Sequence, residues 1–120
     1  MRPLLFKHSR RSFTAVRDDC GIPHLRAETW LDALYGLGFL HAVDRPTQLL
    51  FARVMASGRS AERIADKPEL WETDCFFRRA GLGLHLDREV AALAPHTREQ
   101  VATYCEGVND GLLESGRTLP

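Results

Sequence analysis

This 120-residue chain has no net charge to speak of: 16 Lys and Arg offset 16 Asp and Glu. The balance excludes the global basic footprint of a nucleic-acid binder and gives no attraction to an anionic membrane surface. No apolar run reaches the roughly 18 residues that a membrane-spanning helix requires. Cysteine is scarce. Cys20, Cys75 and Cys105 are odd in number and widely spaced, so they offer neither a disulfide framework nor a zinc signature. There is no internal repeat and no low-complexity segment. With 44% hydrophobic residues the chain has the material for a core, and its length is one domain's worth or less.

Catalytic motifs are missing as well. Ser9, Ser12, Ser57, Ser60 and Ser115 are the candidate nucleophiles, and none sits in a Gly-x-Ser-x-Gly elbow. Gly36-x-Gly38 and Gly81-x-Gly83 each lack the third glycine of a dinucleotide fingerprint and the strand-to-helix setting it needs. His24, His41 and His85 have no carboxylate or cysteine at ligand spacing and read as structural histidines. The sequence therefore nominates no catalytic, cofactor-binding or metal residue.

What is present is mainly helical. Residues 1–12 form a basic leader (Arg2, Lys7, His8, Arg10, Arg11), expected to be flexible. Its Pro3-Leu4-Leu5-Phe6 is too short for the apolar core of a signal peptide, so no export signal is expected. Phe13 to Arg17 and Ile22 to Ala27 read as the strands of a hairpin around Asp18-Asp19-Cys20-Gly21. Thr29 and Asp32 mark a helix start. From Leu31 to Val43 only Asp32, Tyr35 and His41 are polar, and a helix apolar on every side must be covered on every side. Gly36 and Gly38 each cost it about 1 kcal/mol relative to Ala, which another backbone approaching closely would offset.

Pro46 ends this helix after Asp44-Arg45. A second helix from Pro46 to Ala56 should turn Leu49, Leu50, Phe51, Val54 and Met55 inward and stop at Ser57-Gly58. A short turn from Ser60 to Ala65 follows. A helix opened by Pro68-Glu69 carries Leu70, Trp71, Phe76 and Phe77, is weakened by Gly81 and Gly83, and resumes from Leu86 to Leu93. The last helix has Val101, Tyr104, Cys105, Val108 and Leu112 at helical spacing, with Cys105 expected in the core. Thr97 with Gln100 suggests a capping box at its start, and Gly116 and Pro120 its close. Asp44-Arg45 and Arg53 lie beside apolar surface and are expected to be paired charges. A lone hairpin is marginal in water, and these short helices give an all-round apolar helix little cover, so the chain reads as a piece of a larger fold.

Several of these fragments form an ordered set. Arg17-Asp18 … Gly21-Ile22-Pro23-His24-Leu25 is followed by Asp32-Ala33 … Tyr35-Gly36-Leu37-Gly38-Phe39 … His41-Ala42 … Asp44-Arg45 … Gln48. Arg53, Gly58-Arg59-Ser60-Ala61-Glu62, then Asp74, Arg78, Gly81-Leu82 and Tyr104 … Glu106-Gly107-Val108-Asn109 come next. Over roughly Ala15 to Pro120 this order resembles the N-terminal part of the α chain of the penicillin acylases, within the N-terminal-nucleophile hydrolases.

The resemblance implies a mainly α fold with a short N-terminal β-hairpin, a fragment of an αββα architecture, with residues 13–120 as the α-chain-like portion. It implies hydrolysis of an amide joining an acyl group to an amine. The nucleophile would be the N-terminal Ser of a β chain released by self-cleavage, with its own α-amino group as base. The chain departs from the family pattern in ending at Pro120, in lacking a β chain and an export signal (family members are typically periplasmic or secreted), and in placing Pro46 where an apolar residue is usual. The expectation is a chain inert alone. Its partner would be the remainder of the precursor or a separate β chain, with no nucleic acid and no membrane. An acyl-amide small molecule would bind only in the complete enzyme, and calcium belongs, if anywhere, to that enzyme too. The alternative is a non-catalytic helical interaction module or a truncated pseudogene product.

Overall fold

A computed structural model describes residues 11–114 in full and the backbone of residues 4–7. It divides into two compact units, residues 1–45 with 95–120, and residues 46–94. In the first unit, β1 (Leu4–Lys7), β2 (Ser12–Arg17) and β3 (Pro23–Ala27) form an antiparallel sheet in that order. The expected hairpin is β2–β3, with Phe13 opposite Ala27 and Ala15 opposite Leu25. The third strand is new. Leu4–Lys7, inside the stretch read as a leader, pairs with Ser12–Ala15. Its charged residues hid four residues able to extend a sheet edge.

Strand alternation turns Phe13 and Ala15 of β2 to one face, where both are buried, and Leu25 and Ala27 of β3 join them. Helix α1 (Trp30–Asp44) lies on that face through Tyr35, Phe39 and Leu40. Phe13 is the centre of the packing, 6.1 Å from the Tyr35 ring in an edge-on arrangement and 5.7 Å from the Phe39 ring. Such pairs add about 0.5–1.5 kcal/mol beyond their buried area. The Thr29 hydroxyl caps α1 as expected, accepting the Asp32 N–H at 3.1 Å and donating to its carboxylate at 2.7 Å. The helix stops at Asp44, and α2 (Pro46–Ala56) starts on Pro46, where the missing N–H costs nothing.

Helix α6 (Pro95–Glu114) covers a second side of α1. Its buried face is Thr103, Gly107 and Gly111, spaced by four, with Tyr104, Val108 and Leu112 beside it. Of the large-residue stripe expected to face inward, Tyr104, Val108 and Leu112 are half-buried, whereas Val101 and Cys105 are exposed. The reason is the closeness of the crossing. A Cβ at Gly107 would collide with the Tyr35 carbonyl oxygen, and one at Gly38 with the Tyr104 carbonyl oxygen. One at Gly111 would stand 2.6 Å from the Phe39 carbonyl oxygen. The close approach expected at Gly38 is thus met by α6. At Gly36 it is the Phe13 and Leu25 side chains that fill the space. The capping box fails because α6 begins at Pro95, which puts Thr97 inside the helix, its hydroxyl 3.3 Å from His96 Nε2. Gly116 and Pro120 lie outside the described residues. Cover of α1 is incomplete among the described residues: Trp30 is 65% and Leu37 41% exposed.

The second unit holds α2, α3 (Ser60–Arg63), α4 (Pro68–Ala80) and α5 (Leu86–Ala92). Boundaries fall close to expectation, and of the α2 residues expected inward Leu49, Leu50, Val54 and Met55 are half-buried while Phe51 is exposed. Trp71 and Phe76 are exposed too, and no residue of α5 is buried.

The α1–α6 crossing sets a clear expectation. Gly107→Ala forces two backbones apart and should lower stability by about 1–3 kcal/mol or more. Gly83→Ala meets open space and should leave stability equal or higher by about 0.4–1 kcal/mol. Urea midpoints of the two variants measure the difference, and similar shifts for both would refute the crossing.

Candidate functional site

Polar side chains gather in three places. At the β2–β3 turn, one Asp18 carboxylate oxygen accepts the backbone N–H groups of Cys20 and Ile22, each at 2.9 Å, and the other lies 3.0 Å from His24 Nε2. The His24 contact, then the Ile22 N–H, hold this carboxyl below its ordinary pKa. His24 was expected to stand without an acidic neighbour. The turn brings Asp18 to it from six residues back, a spacing that metal-ligand patterns do not use.

Next to it, Arg17 joins the turn to the end of α1. Its guanidinium grips both oxygens of Asp44, at 3.1 and 2.5 Å, and donates to the Gly21 carbonyl at 2.9 Å. Asp44 is therefore a paired charge as expected, but the partner is Arg17, at the far end of the hairpin. Arg45 and Arg53 are exposed and make no ion pair among the described residues. The fork geometry of the guanidinium suits a carboxylate with a carbonyl beside it in a way an ammonium does not.

Across the α1–α6 crossing, the buried Tyr35 donates its hydroxyl hydrogen to Asp110 at 2.6 Å, and the Tyr104 hydroxyl lies 3.0 Å from His41 Nδ1. Burial first, then the Asp110 carboxylate, raises the Tyr35 pKa far above its usual value, so this phenol stays protonated at any working pH.

In the second unit the organising group is Asp74 on α4. Its carboxylate is buried and accepts the N–H of Ser60 at 2.7 Å and of Ala61 at 2.8 Å, the first-turn donors that α3 leaves without partners. One turn on, Arg78 Nε donates to the Gly58 carbonyl at 2.8 Å. Gly58 adopts φ +63°, a left-handed conformation that costs glycine least, and the Arg78 side chain occupies the space a Cβ would need. Burial raises the Asp74 pKa, the Ala61 and Ser60 amides and the Arg78 charge lower it, and the net shift is downward. Arg59 holds Glu62 through two bonds, at 2.8 and 2.6 Å, on the exposed side of α3.

Ser57 donates to the Val54 carbonyl at 2.7 Å and closes α2. Ser60 is wholly buried, and Ser12 starts β2. No described serine is hydrogen-bonded to a histidine, and Ser9 and Ser115 lie outside the described residues. Among the described residues no group of three His, Cys, Asp or Glu is placed to hold a metal ion. None of the described helices is long and apolar enough to cross a membrane.

The segments that these clusters join are the ones in the ordered motif set, and comparison with known proteins agrees. The profile of the family described as "Penicillin amidase" matches residues 12–120. The chain belongs to the penicillin amidase family. Over 104 residues it is 39% identical to the penicillin acylase 2 proenzyme of Pseudomonas sp. (strain SE83), covering 87% of this chain and 13% of that protein. It is 33% identical over 104 residues to the acyl-homoserine lactone acylase QuiP of Pseudomonas aeruginosa, covering 87% of this chain and 12% of the other. The thermostable penicillin G acylase from Alcaligenes faecalis superposes with a TM-score of 0.75 at 28% identity, over 92% of this chain and 59% of that chain. The chain thus spans about an eighth of the length of the curated amidase relatives it matches.

Two outcomes test the polar joints. Asp74→Asn should destabilise the chain at pH 7, and the gap from wild type should close on acidification. A carboxyl with a lowered folded pKa stabilises above its unfolded value, about 3.9, and that stability is lost as pH falls through the folded value. Thermal melts between pH 7 and pH 3 read this, and a gap constant with pH would refute the amide-held carboxylate. Separately, a double-mutant cycle on Arg17→Ala and Asp44→Ala should give a coupling of about 0.2–1 kcal/mol, whereas Arg45→Ala should stay within about 0.5 kcal/mol of wild type.

Proposed function

We propose that residues 1–120 are the N-terminal, α-chain portion of an amidohydrolase that cleaves the amide between an acyl group and an amine, and that this portion is inert alone. The single observation carrying the reading is the family match over residues 12–120 in a chain that spans only 12–13% of its acylase relatives. The described serines support it. Ser12 starts β2, Ser57 donates to the Val54 carbonyl in the turn after α2, Ser60 is wholly buried, and none of the three is hydrogen-bonded to a histidine base. On this reading the chain supplies scaffold: a sheet edge, the α1–α6 pair and the Asp74-held α3. The nucleophile and the donors that stabilise the tetrahedral oxyanion belong to polypeptide beyond these residues. The partner is that polypeptide, either as the rest of one precursor or as a separate β chain. The reading assigns no cofactor to this segment.

Substrate class within the reading is an acyl amide. The relatives' names cover penicillin and acyl-homoserine lactone acylases.

The purified chain should release no amine from phenylacetyl or long-chain acyl amides above the buffer rate. Turnover that copurifies with the chain and disappears on Ser12, Ser57 or Ser60 substitution would overturn the inert reading.

A further inference from the structure

We draw no further inference here: the strongest candidate, the exposed apolar surface of the second unit around Trp71, Phe76, Leu84, Leu86 and Val90 on and between α4 and α5, is an unpartnered face for which nothing in the structure shows what covers it.

Discussion

The rest of the first unit depends on how closely α1 and α6 approach. Two helices ordinarily pack with their axes about 8–10 Å apart, separated by side chains. Here Gly38 faces the Tyr104 carbonyl, and Gly107 and Gly111 face the carbonyls of Tyr35 and Phe39, so the separating layer is absent along one line. That contact settles the orientation of α1 about its own axis. With Gly38 against α6, Tyr35 and Phe39 are turned toward Phe13 and the sheet, while Leu37 is left at the open side. The Tyr35–Asp110 and Tyr104–His41 hydrogen bonds then fall in register on either side of the glycine contact. A helix with apolar residues on every side has no preferred face of its own. The glycines supply the preference.

The second unit is organised by a different economy. It has little apolar core of its own among the described residues, and its shape is held where backbone polar groups would otherwise lack partners. Asp74 takes the free N–H groups at the start of α3, and Arg78 takes the carbonyl at the left-handed turn before it. Both residues lie on one helix, four apart, so α4 presents an anion and a cation to the two ends of one short segment. A buried carboxylate stabilises only when so satisfied, and Asp74 finds two backbone partners, while the Ser60 hydroxyl beside it is buried without a hydrogen-bond partner among the described residues.

Much of the fold was legible in the chain because its signals are local. The Thr29 cap, the stop at Pro46 and the hairpin around Asp18 to Gly21 are decided within a few residues, and each stands where the sequence puts it. What was not legible is which line of α6 is fully buried. Val101, Tyr104, Cys105, Val108 and Leu112 make a persuasive inward stripe, yet Val101 and Cys105 are exposed and the fully buried line is Thr103, Gly107 and Gly111, since backbone proximity outranks side-chain size at this crossing. The ion pair was half visible. Asp44 could be read as needing a partner, but the 27-residue separation to Arg17 is set by the return of the chain over the sheet, which no spacing rule reports. The family resemblance rested on spacing across many such points, and it stood even where individual facings did not.

The grip of Asp74 on α3 has a consequence for how this segment can change. The carboxylate holds main-chain N–H groups, which every residue except proline carries. Recognition therefore places no demand on the identity of the side chains at positions 60 and 61. Sequence drift at these positions is limited by the room around the buried Ser60 and by the exclusion of proline, whereas Asp74 itself has no substitute of equal reach and charge. The informative constraint on α3 is thus written fourteen residues away from it, in another helix.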